Sequence, residues 1–379
     1  MSSLPDKNIP TKALVVDKAG APFVLEDVVL DEVREKEVLV EIKYSGICHT
    51  DLVVQAGHMP IGGFPVVAGH EGAGIIVKLG SGLGNSGLSV GDRVILGFTS
   101  CMDCTGCLEG RKGACANIAL TNFGGTRGLS DTTIRRPTGD FIRGPFFGQS
   151  SFSQLAICDA RAVIKHPGPV EDLAFMAPLG CGFMTGAGTV LDVLKPKPSN
   201  SIAILGLGAV GLCALMAAKS LNVGEILAID IVESRLELAK SFGATHTLDG
   251  RKHKDVEAAV RSVSERGVDF VVDTTGLTSM LNSGIKALAQ EGLLAIVGTP
   301  KPGEHLSVDA MDVLIHCKRI IGVTGAYANP QELIPRLVTM FQNGAFPISG
   351  LCKTYSPAEI DQAIKDMKSG SVIKPVLAW

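Results

Sequence analysis

SIAILGLGAVGLCALMAAKSL, residues 201–221, begins as a buried-strand run, breaks on glycines and continues in good helix formers. The break, Gly206-Leu207-Gly208-Ala209-Val210-Gly211, has the spacing G-x-G-x-x-G. Such a match is weak alone, but here EILAID follows and ends on Asp230, an acid at the tip of the next strand. That context predicts a dinucleotide site. Gly206 permits the tight turn, Gly208 lets the backbone approach a pyrophosphate, and Gly211 lets helix and strand pack closely. The amides of the helix start, including Ala209 and Val210, face the phosphates with the positive end of the helix. Asp230 favours NAD, because its carboxylate bonds the ribose hydroxyls and repels a 2′-phosphate; Arg235, five residues on, softens that repulsion.

The same grammar extends outward. SRLELAKSFGA reads as a second helix ending near Gly243, and VDFVVDTTG and LLAIVGTP repeat the strand theme. Gly298, in the last of these, joins the cofactor-binding set. Alternating strands and helices of this length imply a parallel sheet covered on both faces, a doubly wound α/β domain expected over 182–322. Residues 1–181 read as β-rich, with the runs VLVEIKYSGI, FPVVAGHEGAGIIVKLG and GDRVILGF. Thr121 to Pro145 reads as a long surface loop. The tail at 344–379 holds one amphipathic helix and a short last strand, too little to fold alone, and 323–379 is expected to complete the first domain.

The totals agree with two domains: 379 residues, 46% hydrophobic and 19% charged. A formal net charge of -3 gives no reason to expect nucleic acid or an anionic membrane as partner. Mean hydropathy is +0.30, yet the apolar runs are too short for a membrane span. MSSLPDKNIPTK lacks the apolar core of a signal peptide, so the cytoplasm is the expected location.

Ten cysteines without a secretion signal point to metal or catalysis rather than disulfides. Cys101, Cys104, Cys107 and Cys115 form C-x2-C-x2-C-x7-C, the strongest metal signal in the chain. Four thiolates suit a tetrahedral zinc with no open position, a structural site. Singly, each of the other six reads first as a small buried hydrophobe. A catalytic zinc needs three protein ligands and one free position. Cys48 in GICHTDLV, His70 in GHEGAG and Cys181 in PLGCGFMTGAG are candidates, but spacing does not join residues so far apart. Nor do the eight residues GICHTDLV decide whether Cys48 and His49 are two ligands, a nucleophile with its base, or residues at the edge of a core.

GICHTDLV, FPVVAGHEGAG, the four-cysteine segment, FFGQSSF, PLGCGFMTGAG and GLGAVG with Asp230 occur in one order across the whole chain. In this the sequence resembles the zinc-dependent medium-chain alcohol dehydrogenases, and among them the aryl-alcohol (benzyl alcohol) type. The resemblance implies a GroES-like β-rich catalytic domain built from both ends of the chain, 1–181 and 323–379, around a Rossmann domain. It implies two zincs per chain, a catalytic one on Cys48, His70 and Cys181 and a structural one on Cys101, Cys104, Cys107 and Cys115. It implies an NAD-dependent oxidation of a primary alcohol to its aldehyde, with Thr50 taking the alcohol proton and Asp51 and Glu71 supporting the metal ligands. His49 and Lys374 match positions facing the cofactor pyrophosphate, and Phe98, Phe146 and Phe147 match positions lining a substrate channel.

One position departs from many members: Val53 stands where a histidine continues the proton path, and a route through His49 or water is expected instead. Other readings stay open. They are an aldehyde or enone reductase, a formaldehyde–glutathione dehydrogenase sharing FFG-x-S-x-F, and a non-catalytic relative. A homodimer, or else a homotetramer, is the expected assembly.

Overall fold

The computed structural model describes residues 4–59, 62–127, 131–253 and 255–379. These form two compact units, one of Met1–Cys181, Asn329–Val338 and Ser349–Trp379, the other of Gly182–Ala328 and Thr339–Ile348.

The second unit is built on a six-stranded sheet whose neighbouring strands all run parallel. In spatial order the strands are His246–Asp249, Glu225–Asp230, Ser201–Leu205, Val268–Asp273, Leu288–Ile296 and Arg319–Gly322. Numbered by sequence this is 3-2-1-4-5-6, the order of doubly wound dinucleotide-binding sheets, as the strand–helix alternation predicts. Ser201–Leu205 has neighbours on both sides and lies under helices, so from Ile202 to Leu205 it reads as an unbroken apolar run. The chain leaves this strand through Gly206 and enters the helix Ala209–Ser220 at Gly208. A β-carbon on Gly211 would lie 1.9 Å from the Gly206 carbonyl oxygen, so only glycine allows the helix to start that close to the strand. Among the described residues Arg319–Gly322 pairs only with Leu288–Ile296 and forms an edge.

The first unit contains a five-stranded and a seven-stranded sheet. Its hub is the ten-residue strand Glu37–Gly46, which pairs antiparallel with Gly72–Leu79, Leu155–Asp159 and Lys374–Ala378. The register places Ser45 opposite Gly72 and Val376 opposite Gly46. One strand therefore ends two residues before Cys48, and its partner starts two residues after His70. A ladder of backbone hydrogen bonds thus joins two candidate ligands that lie far apart in sequence. Of residues 323–379, those at 323–328 and Thr339–Ile348 fall in the second unit, where Phe346 and Ile348 are fully buried.

The stretch Thr121–Pro145 is not the surface loop its composition suggests. It carries the end of the helix Ile118–Phe123 and the antiparallel strand pair Ile134–Arg135 and Phe141–Ile142. Asn122, Thr132, Ile134 and Ile142 are buried. Arg127, 8% exposed, bonds Glu37, Asp31 and the Glu32 carbonyl. Residues 128–130 of this stretch lie outside the described ones. Among the described residues no single helix is long and apolar enough to cross a membrane.

Candidate metal centres and cofactor loop

Cys48 caps the helix His49–Gln55, and Asp51 closes the first turn by accepting the Cys48 backbone N–H at 2.9 Å. The other oxygen of Asp51 accepts the Gly69 N–H and faces His70 Nδ1, each at 3.0 Å. Asp51 and His70 are both fully buried. The carboxylate fixes the imidazole with its Nδ1 proton toward Asp51, leaving Nε2 as the outward atom. Nε2 is buried and has no hydrogen-bond partner among the described residues.

An imidazole nitrogen left so is costly unless something binds it. The sulfurs of Cys48 and Cys181, His70 and a Glu71 oxygen lie within 4.8 Å of one another. Cys181 arrives through Gly180, where a β-carbon would stand 2.0 Å from the Leu96 carbonyl oxygen. Two thiols, one orphaned imidazole nitrogen and a buried carboxylate fit a zinc ion.

The electrostatics suit a cation. The bond between the two thiols draws the Cys48 thiol well below its usual range, with Lys374 and His70 adding to the pull against burial. The same bond, with burial, drives the Cys181 thiol up. Burial works to lower the His70 pKa, but Asp51 and the Cys48 sulfur outweigh it and the net shift is upward. Two thiolates and a neutral imidazole would leave a divalent zinc formally neutral.

Behind the site, Lys374 Nζ bonds both Glu71 oxygens at 2.9 and 3.1 Å and the Ile47 carbonyl at 3.1 Å. Its side chain is 4% exposed and that of Glu71 0%. Lys374, which the resemblance sets at a cofactor phosphate, holds its ammonium against the buried Glu71 carboxylate, which needs a counter-charge. Burial raises the Glu71 carboxyl even so, with Lys374 opposing the rise.

His49 is exposed, one residue outside the buried cluster, and Thr50 is half-buried with its hydroxyl 3.7 Å from the Cys48 sulfur. Cys48 and His49 therefore do not point into one site. Phe147 stacks on the His70 ring at 4.6 Å and 29°, while Phe146 meets it edge-on at 5.6 Å. Phe146 is 0% exposed and sits in the core, so it backs His70 and offers no surface to a channel. Phe98 is also buried, and Phe147 is half-buried.

Sequence reasoning missed Gln149. Its amide nitrogen donates to the carbonyls of His70, Leu96 and Gly97, and its oxygen accepts the Gly72 N–H. This fully buried side chain ties the backbone just after His70 to that at Leu96 and Gly97. No spacing rule marks it, since all its partners are distant in sequence.

The four-cysteine segment closes on itself. All four sulfurs lie within 4.8 Å of one another, with Cys101 at 3.4 Å from Cys115 and 3.9 Å from Cys107. A tetrahedral zinc with thiolate ligands at about 2.3 Å needs sulfurs about 3.8 Å apart. Backbone N–H groups of Cys101 and Asn117 point at the Cys115 sulfur, and that of Ala116 at Cys104. The Ala116 amide, with that of Cys107, lowers the Cys104 thiol to about 6, while burial pushes Cys115 up to about 12 against the pull of the Cys101 and Asn117 amides. The donor set fits a second zinc. All ten cysteines are free.

In the second unit, Asp230 holds the glycine turn. One oxygen accepts the Leu207 N–H at 2.6 Å, and the other accepts Ile231 and Val232 at 2.7 and 2.9 Å. Arg235 stands 3.7 Å from the same carboxylate. Each carboxylate oxygen keeps lone-pair capacity for a further donor. A β-carbon on Gly208 would meet nothing within 4 Å, so the space before the half-buried Ala209 and Val210 is open. Gly298 packs against Thr274 and Gly276, where a β-carbon would lie 2.3 Å from the Gly276 nitrogen.

Comparison with known proteins follows these two architectures. Residues 34–168 match the alcohol dehydrogenase GroES-like domain family, and residues 209–343 match the zinc-binding dehydrogenase family. A geraniol dehydrogenase of Castellaniella defragrans is 34% identical over 372 residues, 98% of each chain. The crystal structure of an alcohol dehydrogenase zinc-binding domain protein from Burkholderia ambifaria superposes with a TM-score of 0.93 at 38% identity, covering 98% of this chain and 99% of that one. That of benzyl alcohol dehydrogenase from Acinetobacter calcoaceticus gives 0.91 at 38% identity, covering 97% and 99%.

Proposed function

Since the chain belongs to the zinc-dependent medium-chain alcohol dehydrogenase family, we propose that it oxidises a primary alcohol whose carbinol carbon adjoins a π system, benzylic above all, with NAD. The observation that carries this reading is Phe147 stacked on the ring of His70 at 4.6 Å, which sets an aromatic face beside the metal-binding cluster. The names of two relatives support it, because benzyl alcohol and geraniol share an unsaturated carbon next to the carbinol. The balance is RCH2OH + NAD+ → RCHO + NADH + H+.

Cys48, His70 and Cys181 hold the catalytic zinc, and Cys101, Cys104, Cys107 and Cys115 hold the structural one. Gly206 to Gly211, Asp230, Arg235 and Gly298 hold the cofactor. When bound, the zinc supplies a Lewis acid for the alcohol oxygen and NAD supplies the hydride acceptor. Asp51 keeps the His70 imidazole in one tautomer and orientation. Thr50 accepts the alcohol proton, and the exposed His49 passes it to solvent, since Val53 cannot carry one. Asp230 selects NAD over NADP through the ribose hydroxyls. Free cysteines are in keeping with work in a reducing compartment, the cytoplasm.

The assembly is a homodimer. Its support is an apolar face on the helix Ala310–Ile315, where Met311, Leu314 and Ile315 are 60%, 70% and 61% exposed, beside the edge strand Arg319–Gly322.

The test is kcat/KM for benzyl alcohol, geraniol, an aliphatic alcohol of similar size and hydroxymethylglutathione, each with NAD and NADP. Benzyl alcohol and geraniol should lead with NAD by at least about tenfold, the scale of discrimination an apolar pocket gives. Equal turnover of the aliphatic alcohol sinks the π-system reading. Dependence on glutathione supports the formaldehyde-type reading that the 32% identity to a probable S-(hydroxymethyl)glutathione dehydrogenase of Schizosaccharomyces pombe allows.

A further inference from the structure

We propose that the four-cysteine lobe positions His70 of the other metal site through Phe123 and Phe147. The proposal rests on the assignment of Cys48, His70 and Cys181 as metal ligands.

The connection starts at Cys115. Its carbonyl accepts the Ile118 N–H at 3.0 Å and its sulfur accepts the Asn117 N–H at 3.3 Å, so the cluster fixes the start of the helix Ile118–Phe123. Near the far end of that helix stands Asn122, fully buried. Its amide nitrogen donates to the Thr99 carbonyl at 2.9 Å and its oxygen accepts the Thr99 N–H at 2.9 Å. Thr99 lies two residues before Cys101. Both ends of the cysteine lobe thus lead to one locked pair, Thr99 and Asn122.

From that pair the contact passes to the imidazole. Phe123, the next residue, meets the Phe147 ring edge-on at 5.0 Å and the Phe146 ring at 5.9 Å. Phe147 lies face-on to His70 at 4.6 Å and Phe146 edge-on at 5.6 Å. Thr99 also touches this segment: a β-carbon on Gly148 would lie 2.5 Å from its methyl.

Phe147 itself is held at φ 54°, ψ 29°, a left-handed conformation that L side chains rarely adopt. Such a conformation persists only where the surroundings over-determine it. Here they do. Ser150 accepts the Phe146 N–H at 2.8 Å and donates to the Val67 carbonyl at 2.8 Å, while Phe123 and Thr99 press from the lobe.

His70 is thereby fixed twice. Asp51 fixes it in the ring plane through Nδ1, and the stacked Phe147 fixes the tilt of that plane. Phe123 and Phe147 are positioning residues, acting on the metal through His70.

The test uses the full-length protein with zinc on the four cysteines and cobalt(II) exchanged into the Cys48–His70–Cys181 site. Ligand-field and thiolate-to-cobalt bands, and the rate of cobalt loss to a chelator, are recorded for the wild type, Phe123→Ala, Phe123→Leu and Phe123→Tyr. The ring-less variants should shift the bands and lose cobalt about tenfold faster, as loss of outer-shell support does. The four-cysteine zinc should be retained, and Phe123→Tyr should match the wild type. Phe123→Leu keeps the bulk and serves if the alanine variant does not fold. Normal wild-type bands with unchanged Ala and Leu variants overturn the relay alone. Absence of thiolate–cobalt bands in the wild type overturns the ligand assignment, and the relay with it.

Discussion

Asp51 is the residue on which two structures converge. It closes the first helical turn after Cys48 and it orients His70, so one carboxylate sets the direction of two ligands. Asp51→Asn keeps the shape and removes the charge. We expect kcat or zinc affinity to fall about 10- to 100-fold. Unchanged kcat with a full zinc content would remove Asp51 from the site's support. Lys374 and Glu71 form the second residue-scale dependency, an ion pair with side chains 4% and 0% exposed. Lys374→Met leaves a buried carboxylate without its counter-charge, which should cost about 3–5 kcal/mol of stability. The double variant Lys374→Met, Glu71→Gln should recover much of that loss; failure to recover would mean the lysine acts through something other than the pair. Denaturant midpoints of the three proteins decide it.

Among the elements, the turn after the strand Val163–Lys165 carries an unusual histidine. His166 is 3% exposed, and neither ring nitrogen has a partner among the described residues. Burial lowers its pKa, Asp172 opposes that, and Arg93 adds to it. The native state therefore keeps His166 neutral where the unfolded chain takes up a proton. Stability from this group is full above the unfolded pKa of about 6.5 and is lost as pH falls below it toward the lower folded value. The urea midpoint should drop between pH 7.5 and 5.5, and His166→Phe should make that drop smaller. An identical pH slope in the variant would show that His166 does not contribute.

Elements also show what the sequence could reveal. The glycine turn and the four-cysteine lobe were legible because all their parts lie within a few residues, so spacing alone encodes the geometry. Gln149 was not legible, because a lone glutamine gains its meaning only from carbonyls at Leu96, Gly97 and His70. The strand pair at Ile134–Arg135 and Phe141–Ile142 reads as loop in the sequence because two-residue strands show no periodicity. Resemblance alone sets Phe146 at a channel, and only its burial separates a core ring from a lining one.

For the whole molecule, the proposed homodimer makes a direct prediction. Leu314→Lys with Ile315→Lys puts two charges on the exposed apolar face of Ala310–Ile315. Light scattering at micromolar concentration should show the wild type at twice the mass of the double variant. A wild type at the mass of one chain would mean that this face and the edge strand serve something else. Zinc content gives a second measure, two per chain, falling to one when Cys101 and Cys104 are both changed to Ser if the protein still folds.

The pairing of Lys374–Ala378 with Glu37–Gly46 has a consequence for how the protein is made. Chains emerge from the ribosome at roughly 5–20 residues per second, and domains fold as units during synthesis. The second unit has all its strands by Gly322, while the first waits for residues 374–378 to reach a strand finished more than three hundred residues earlier. Until then Glu71 has no Lys374 beside it. The domain whose sequence comes first is the one that matures last.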